Sequence, residues 1–359
     1  MRKALIGVIV FLSVLTFPIT VWFSWEGLDV FKNLVREFSD RTGIDVKVVY
    51  VPKNADDKLL MAWKAQTGLP DVLMLKNDEI ARVIDALEVL KIPEGISKKA
   101  LEAFEIDGKL YAVPIYADIG GVFFARKGVK DADFEDLVEK YKAEKNAILL
   151  PIYGKYFFQV FQRTFGGKTD LTLEDESTKK ALEFLLWLKR EVPYTPKDGR
   201  SAIALFMKGE GKVLMFGSFL ISKFVSKGVD FKILEPPLLR SAGRRISPNL
   251  DYKGFAVVKG RMSDEVRKFL DFVSSGEFQR RLCGKLYKIP SNEKARISLK
   301  EEPIFSKLLE YEKYGSPTPS SKSAQRYYEA VGAMLKLMAA GYDDVGEILK
   351  AGRKVIGSR

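Results

Sequence analysis

Two segments limit the fold of this chain more than any others. The first is Thr67-Gly-Leu-Pro-Asp-Val-Leu-Met-Leu75, and the second is Asp107-Gly-Lys-Leu-Tyr-Ala-Val-Pro-Ile-Tyr-Ala-Asp-Ile-Gly-Gly-Val-Phe-Phe124. In the first, a Pro-Asp turn leads into a short apolar run that predicts a buried parallel strand. In the second, Gly108 predicts a turn and Leu110 the start of a strand, whose hydrogen bonding Pro114 interrupts. A chain that crosses between two lobes needs such an interruption.

The first third of the chain alternates between strand and helix patterns, which predicts a mostly parallel sheet. Its predicted elements are strands over Ile19–Trp25, Ile44–Val51 and Leu69–Leu75, with helices from Leu28 to a stop at Gly43 and around Asp57–Thr67. Sheets of this kind bind ligands at the carboxyl ends of their strands. Trp25, Glu26 and the run Lys76-Asn77-Asp78 lie at the carboxyl ends of two of these strands, so they are candidate ligand residues.

The rest of the chain predicts a second lobe and a return to the first. Its predicted elements are strands at Gly120–Ala125, Ala147–Leu150, Val213–Phe216 and Tyr252–Val257, and helices at Phe134–Glu144, Ser177–Arg190, Ser263–Ser274, Ala324–Ala340 and Val345–Val355. The strand at Tyr252–Val257 is expected to cross back, with the helix after it in the first lobe and the last two helices in the second. Several crossings between lobes make a hinge, and a hinge allows a cleft to close around a ligand.

The amino terminus predicts export. Arg2 and Lys3 precede an apolar run from Ala4 to Leu15, which is typical of a secretory signal and short for a membrane span. Cleavage near Thr16 to Thr20 and retention as an anchor both remain open. The alternative is a buried first strand that continues into Val21-Trp22-Phe23.

The composition excludes several kinds of chemistry. The chain has no histidine and a single cysteine, Cys283, so the Ser-His-Asp and Cys-His arrangements, an intrachain disulfide and cysteine-based metal clusters are absent. Cys283 is interpreted as a buried thiol near a helix end. No cofactor or metal is expected, and the chain is not expected to be an enzyme. The bias towards Lys and Glu is typical of proteins from hot environments.

A net charge of +12 raises nucleic acid as a partner. The basic clusters are short, for example Arg240 to Arg245, and acidic residues interrupt most of the remaining positive charge. Neither a zinc-finger spacing nor an RNP-like stretch occurs. No nucleic-acid partner is therefore predicted.

The two opening segments, the order of elements and the run Gly211-Lys-Val-Leu-Met-Phe-Gly-Ser-Phe219 resemble the extracellular solute-binding proteins of ABC importers, in the maltose-binding-protein-like branch. The resemblance implies an α/β, two-lobed periplasmic-binding-protein fold of type II, in which each lobe is a mixed, mostly parallel sheet flanked by helices around a hinged cleft. It divides the chain into a signal or anchor at 1–17, a first lobe at 18–116 and 258–305, and a second lobe at 117–257 and 306–359. It also implies a monomer outside the cytoplasmic membrane that captures a carbohydrate and delivers it to an ABC permease.

The same resemblance implies a set of ligand-binding residues. They are Trp25, Glu26, Asn77, Asp78, Tyr116, Asp118, Tyr156, Phe157, Phe219, Tyr252 and Tyr328. Sugar rings stack on flat aromatic side chains, and sugar hydroxyls need donors and acceptors when they are buried. Leu75, Glu79 and Gly154 depart from the maltose-binding pattern, where a tryptophan, an arginine and a glutamate stand, so a different or shorter sugar is expected.

Other interpretations stay open for some of these residues. Trp25 is equally compatible with a core position, and Asp78 with a cap for the helix that begins near Glu79. Tyr116 and Tyr252 line the hinge with or without touching the solute. Trp22, Trp63 and Trp187 are predicted to be packing residues, and Asp71 is predicted to serve a turn or cap.

Two other functions are compatible with the sequence. An anionic solute, such as a sugar phosphate or an acidic saccharide, is prompted by the basic balance and by Lys76 and Lys155 near the cleft. A glycosidase with a carboxylate pair is a weaker alternative, because no recognisable catalytic motif places two carboxylates.

Overall fold

The computed structural model describes residues 18–52, 54–167, 173, 175–196, 198–321 and 324–357. The predicted signal or anchor at residues 1–17 lies outside the described residues, as does the run from Ala4 to Leu15 in the alternative first strand. Within the described ranges, every helix is too short or too polar to cross a membrane.

The fold is a large mixed sheet flanked by helices. The strands are β1 Ile19–Phe23, β2 Val46–Tyr50, β3 Val72–Lys76, β4 Glu105–Ile106, β5 Lys109–Leu110, β6 Val113–Ala125, β7 Ile148–Leu149, β8 Val213–Gly217, β9 Lys232–Ile233, β10 Leu238–Leu239, β11 Arg244–Arg245, β12 Asn249–Val257, β13 Ile289–Pro290 and β14 Ser316–Pro317. The helices are α1 Leu28–Thr42, α2 Ala55–Ala65, α3 Ile80–Val83, α4 Lys98–Glu102, α5 Phe134–Tyr141, α6 Lys155–Thr164, α7 Glu176–Glu191, α8 Gly199–Lys208, α9 Ile221–Ser226, α10 Asp264–Ser274, α11 Gly276–Leu286, α12 Glu293–Leu299, α13 Pro303–Tyr314, α14 Ala324–Ala339 and α15 Val345–Gly357.

The main sheet has the strand order β2-β1-β3-β12-β6-β8-β7, with β13 and β9 added to β6 and β14 added to β12. Towards the two ends of this order, β1 pairs in parallel with β2 and β3, and β7 pairs in parallel with β8. In the middle, β12 is antiparallel to β3 and to β6. The predicted mixed α/β fold is confirmed. The antiparallel pairs of the sheet all involve β6 or β12.

Helix α1 illustrates how the sequence pattern sets the packing. Phe31, Leu34, Val35 and Phe38 are buried, and the helix ends where Gly43 takes a positive φ of 71° and donates its N–H to the carbonyl oxygen of Ser39. Glycine adopts this left-handed conformation without a steric penalty. Phe31 stacks on Phe23 with ring centroids 4.3 Å apart and on Phe255 at 5.5 Å, so α1 covers β1 and β12 together.

Strands β6 and β12 are the two strands predicted to cross between the lobes, and they pair with each other in the middle of the sheet. Every residue of both strands is buried. Their register shifts between Lys253 and Gly254, opposite the segment from Pro114 to Tyr116, which agrees with the interruption predicted at Pro114. Beyond the shift, Asp118 lies directly opposite Asp251.

Several packing predictions are also confirmed. Cys283 is buried in α11, and burial raises the pKa of its thiol. Asp71 lies in a bend directly before β3, but its side chain caps no helix: its Oδ2 accepts a hydrogen bond from the backbone N–H of Thr20 in β1 at 2.7 Å. Trp22, Trp63 and Trp187 are partly buried and pack against the core.

The proposed lobe boundaries stay a prediction. Helix α13 contains the proposed boundary between residues 305 and 306. Its Tyr311 hydroxyl accepts the Phe123 backbone N–H at 3.0 Å, and its Glu312 carbonyl oxygen accepts from Lys99 at 2.8 Å. Phe123 lies in the predicted second lobe and Lys99 in the first. A single helix therefore contacts both halves of the molecule next to the crossing strands.

Candidate functional site

A group of buried charges lies where β6 and β12 pass each other. We name it the junction cluster, and its members are Glu26, Lys76, Asp78, Asp118, Asp251, Lys253 and Lys288. Each of the seven lies in a strand of the main sheet or within three residues of a strand end. Strand ends from different parts of the chain thus bring their charges to one place.

Asp118 is the most enclosed carboxylate of the junction cluster. Its Oδ2 lies 2.9 Å from Lys253 Nζ and its Oδ1 lies 2.6 Å from Lys288 Nζ, and none of the three side chains is more than 4% exposed. Burial raises the pKa of Asp118, but the two lysines outweigh this effect and lower it to about 2. Asp118 is therefore ionised at neutral pH.

Lys288 reaches the cluster through a turn at the end of α11. Tyr287 takes a φ of 54°, and the chain then enters β13 with the Lys288 side chain fully buried. Its Nζ also lies 2.7 Å from Oε1 of Glu26, three residues after the end of β1. Burial lowers the pKa of Lys288, whereas Asp118 and Glu26 raise it further, so the net shift is upwards and the lysine stays charged.

Asp251 is held by groups from three other segments. The Tyr156 hydroxyl donates to its Oδ2 at 2.7 Å, the Thr318 hydroxyl donates to its Oδ1 at 3.0 Å, and Lys76 Nζ lies 3.7 Å from Oδ1. Burial raises the pKa of Asp251, but Lys76 and Lys253 bring it below its usual value. This carboxylate is also ionised.

The residues after β3 have separate roles. Lys76 Nζ lies 2.7 Å from Asp78 Oδ2, and the fully buried Asn77 accepts the Tyr252 backbone N–H at 3.1 Å through its Oδ1. The alternative in which Asp78 caps the next helix is wrong, because the Glu79 carboxylate accepts the Lys76 backbone N–H at 2.8 Å. Asp78 Oδ2 is paired with Lys76, and Asp78 Oδ1 has no partner among the described residues.

Of the buried polar atoms that have no hydrogen-bond partner among the described residues, four belong to predicted ligand residues or to the glutamine that accepts from Tyr328. They are Trp25 Nε1, Asp78 Oδ1, Tyr116 Oη and Gln159 Nε2. Buried polar groups in proteins are nearly always hydrogen-bonded, and leaving one unpaired costs about 1–3 kcal/mol. These four atoms are therefore candidate contacts for a polar ligand or for water.

Trp25 is strained as well as unpaired. Its φ is 73°, a conformation that residues with a side chain rarely adopt, and Lys253 Nζ lies 5.2 Å from its ring centroid. Tyr116 is buried under the same lysine and under Lys288, with the ammonium groups 6.0 and 5.8 Å from its ring centroid. Both aromatic residues border the junction cluster.

Two glycines allow aromatic rings to approach the strands. A Cβ at Gly120 would lie 2.3 Å from the Tyr156 ring, and a Cβ at Gly217 would lie 2.1 Å from the Phe219 ring. Any side chain at these positions would displace the ring. Phe219 is 36% exposed, so part of its side chain is accessible to solvent or ligand.

A cavity of about 670 Å³ lies between the start of α6 and helices α14 and α15. Its lining includes Tyr153, Lys155, Tyr328, Glu329 and Lys336. Tyr328 donates its hydroxyl to Gln159 Oε1 at 3.0 Å and therefore stands beside one of the four unpartnered atoms. The volume is within the usual range for small-ligand sites.

The structure brings together most of the residues predicted to bind ligand. Trp25, Glu26, Asn77, Asp78, Tyr116, Asp118 and Tyr156 belong to the junction cluster or contact its members, directly or through one hydrogen-bonded neighbour. Tyr328 is linked to them through the helix α6, and Phe219 follows Ser218, whose hydroxyl donates to Asp118 Oδ1 at 3.2 Å.

Two predicted residues point elsewhere. The Tyr252 hydroxyl donates to Glu312 Oε1 at 3.0 Å, on the opposite face of β12 from Asp251 and Lys253, because successive side chains of a strand alternate between faces. Phe157 is buried against Phe216 with ring centroids 5.2 Å apart. Both side chains are part of the surrounding packing.

Four residues of this region were missed by sequence reasoning: Asp251, Lys253, Lys288 and Thr318. Asp251 and Lys253 flank Tyr252 on a predicted crossing strand, so alternation along that strand was the signal that pointed to them. Lys288 and Thr318 lie in short connections that carry no comparable pattern. Their positions depend on how the chain folds back, not on local sequence.

Comparison with known proteins adds the family to this geometry. Residues 33–306 match the model of a family described as bacterial extracellular solute-binding protein. No curated protein is similar enough in sequence to be matched.

Several solved structures share the fold. The maltose-binding periplasmic protein of Listeria monocytogenes in complex with maltose has a TM-score of 0.81 and 21% identity, and the alignment covers 94% of this chain and 96% of that one. The maltose-maltodextrin binding protein of Alicyclobacillus acidocaldarius has a TM-score of 0.82 and 18% identity over 95% and 100% of the two chains. Because the family model spans more than half of the sequence, the chain belongs to the bacterial extracellular solute-binding proteins.

Proposed function

We propose that this chain captures a carbohydrate in the cleft between its lobes and delivers it to an ABC permease. The observation that carries the proposal is the set of four buried polar atoms without a described partner, at Trp25, Asp78, Tyr116 and Gln159, next to aromatic rings. Sugars offer apolar ring faces and many hydroxyls, so they match a site that combines rings with unused donors and acceptors. Structures with the same fold contain maltose, maltotriose or maltopentaose.

The proposed ligand contacts are assigned first to the buried polar atoms that have no described hydrogen-bond partner. Trp25 Nε1 and the Tyr116 hydroxyl donate to sugar oxygens, and Asp78 Oδ1 accepts a sugar hydroxyl. Tyr156, Phe219 and Tyr328 supply aromatic surface, and Glu26, with 39% of its side chain exposed, supplies a further acceptor. Closure of the proposed lobes, residues 18–116 with 258–305 and residues 117–257 with 306–359, then encloses the solute.

An anionic solute is not favoured by the charges of the site. The junction cluster contains three lysines and four carboxylates, and each of the lysines lies within 4 Å of a carboxylate. Arg163, also buried nearby, donates to the Asn249 side chain and to the carbonyl oxygens of Ser316 and Pro317. Positive charge is therefore already balanced, and a neutral ligand avoids the cost of burying another charge.

The chain acts by binding, not by catalysis. A glycosidase needs one carboxyl group that is protonated and one that is ionised on either side of the glycosidic bond. Asp118 and Asp251 face each other but are both ionised and both covered by their own partners. This arrangement supports a structural use of the carboxylate pair.

The remaining parts of the proposal follow from the family. An extracellular solute-binding protein acts on the outer side of the cytoplasmic membrane, which agrees with the predicted export segment at residues 1–17. We propose that the protein is a monomer there and that its partner is the permease. The Lys and Glu bias supports a source in a hot environment.

Thermal-shift measurements test the carbohydrate proposal. Neutral malto-oligosaccharides, acidic sugars and sugar phosphates are added one at a time, because a ligand that binds only the folded state raises the unfolding midpoint. We expect a neutral sugar to raise the unfolding midpoint, and we expect this increase to stay the same as the salt concentration rises. Stabilisation by anions alone, with a steep salt dependence, would favour the anionic alternative, and no stabilisation by any sugar would contradict the carbohydrate proposal.

A further inference from the structure

The junction cluster contains an arrangement that is unfavourable on its own. Asp118 on β6 and Asp251 on β12 are direct cross-strand partners in the middle of the sheet. Like charges directly opposite each other destabilise a strand pair, and burial increases this cost. Something in the structure must therefore keep both carboxylates in place.

Lys253 is ion-paired with Asp118. Without touching the Asp251 carboxylate, whose own ion pair is with Lys76, Lys253 also lowers the pKa of Asp251. It lies two residues after Asp251 on β12, so its side chain is on the same face. Its Nζ is 2.9 Å from Asp118 Oδ2 and 3.1 Å from the Asp251 carbonyl oxygen. Its ammonium also lies over the rings of Trp25 and Tyr116, two of the residues with unpartnered polar atoms.

Each aspartate is also bonded to both predicted lobes. Asp118 contacts Lys288 on the first-lobe side and accepts from the Ser218 hydroxyl on the second-lobe side. Asp251 lies near Lys76 from the first lobe and accepts from Tyr156 and Thr318 from the second. The position of these carboxylates thus affects how the strand ends of the two halves meet.

We propose that Lys253 is a positioning residue of the solute site, which keeps the facing carboxylates of Asp118 and Asp251 ionised and fixed so that Trp25 and Tyr116 are held ready for the ligand. The inference deepens the proposed function and rests on it. It also assigns Asp118 to the support of the site, since Lys253, Lys288 and Ser218 already bind its two oxygens.

The charged and titratable groups around the pair determine what removing Lys253 does. Asp118 would keep Lys288, with Glu26 and Tyr116 nearby. Asp251 would keep Lys76 and the nearby Arg163, with Asp78 and Tyr156 also nearby. Two lysines and Arg163 would then face four carboxylates, one positive charge fewer than in the wild type. We expect one of the two facing carboxyl groups to bind a proton in the neutral range, as carboxylates that share a site do.

The test is Lys253→Met, with two measurements. The first follows the aspartate side-chain carboxyl carbons by NMR during a pH titration of the ligand-free protein. The second measures the affinity for maltotriose between about pH 5.5 and about pH 8.5. In the wild type we expect no aspartate of the pair to titrate in this range and a nearly constant affinity. In Lys253→Met we expect one of them to titrate, and an affinity about 10-fold lower at the upper pH that recovers as the pH falls.

Charge-balanced and surface variants complete the experiment. Asp118→Asn combined with Lys253→Met removes one charge of each sign, so it should fold and regain a pH-independent affinity. Lys259→Met, at an exposed position just after β12, should behave like the wild type. The proposal predicts that the double variant folds even if Lys253→Met alone does not, so failure of both to fold would overturn it.

Other outcomes separate this inference from the proposed function. If the wild type does not bind maltotriose or another sugar, the carbohydrate proposal fails, while the ligand-free titration still decides the role of Lys253. If Lys253→Met leaves both aspartates ionised and the affinity unchanged, Lys253 is not a positioning residue, although the protein still binds a sugar. Equal, pH-independent loss of affinity in the single and double variants would also contradict the inference.

Discussion

The junction cluster and the aromatic surroundings of the site use polar groups in opposite ways. In the cluster, Asp118 and Lys288 are almost completely buried and bonded to each other. Around it, Trp25 and Tyr116 have polar atoms without a described partner, and Phe219 is partly exposed. The difference indicates that the charges hold the site together, whereas the aromatic residues are left for the solute. Substitutions in the first region should therefore reduce stability, and substitutions in the second should reduce affinity.

Lys288→Met should have the largest effect. It removes a fully buried ammonium group and leaves Asp118 with fewer partners, and the loss of one member of a buried pair costs about 3–5 kcal/mol. Urea unfolding should show this decrease in the free energy of unfolding. Lys285→Met, at an exposed position three residues earlier, is the control and should change it by less than about 0.5 kcal/mol. A Lys288→Met protein as stable as the control would mean that the cluster does not stabilise the fold.

Phe219→Ala should show the reverse pattern. The ring is partly exposed, so its loss should change the free energy of unfolding only slightly, but loss of a stacking surface should weaken sugar binding by about 10-fold or more, which is about 1.4 kcal/mol. Calorimetric titration with maltotriose measures the change. Tyr194→Ala removes another exposed ring, 55% accessible, and should leave the affinity unchanged. Equal affinities for both variants would remove Phe219 from the site.

Trp25→Phe should separate stability from affinity at a single residue. It removes the indole N–H, which has no described partner in the ligand-free structure, but keeps an aromatic ring. Stability should stay the same or increase, while sugar affinity should fall by about 1 kcal/mol if the N–H donates to the ligand. Trp63→Phe, on α2, serves as the comparison for a packing tryptophan. An unchanged affinity in Trp25→Phe would contradict the role of the indole N–H.

Glu79→Gln should have the smallest effect, and it should depend on pH. Burial raises the pKa of Glu79 to about 7, although its hydrogen bond from Lys76 acts in the opposite direction. The folded state therefore holds a proton that the unfolded state releases near pH 4.5, so wild-type stability decreases as the pH rises from about 4.5 to about 7. Glutamine keeps the acceptor for the Lys76 N–H without ionising. We expect the variant to be about 1 kcal/mol more stable above neutral pH and to lose this advantage in acid; parallel pH profiles would contradict this.

Local sequence patterns were sufficient to predict most of the fold. Helix α1 was predicted from buried residues at helical spacing and the stop at Gly43, and the crossing strand β6 from an apolar run with Pro114 inside it. These features depend on neighbours along the chain. Strand ends differed by a few residues, for example at Trp25, where a left-handed conformation ends β1 earlier than its β-rich sequence suggests.

The site itself was predicted only in part, for a physical reason. Trp25 and Asp78 follow strands, and the ends of parallel strands meet at one edge of a sheet. The contacts of Asp118 depend on its register with Asp251, more than a hundred residues away, and on the turn that directs Lys288 inwards. No local pattern specifies such pairings. A carboxylate that was predicted to face a sugar is therefore found between two lysines.

The place of β12 in the sheet also has a consequence for the order in which the molecule assembles. This strand lies between β3 and β6, so the amino-terminal strands and β6 have no direct pairing until the chain has reached Val257. Pairings between residues so far apart in sequence form slowly, because a long loop must close before they stabilise anything. During synthesis, the first 250 or so residues therefore lack the strand that completes the sheet. The chain stays without its finished core for most of its production, a property that would favour the export that residues 1–17 predict.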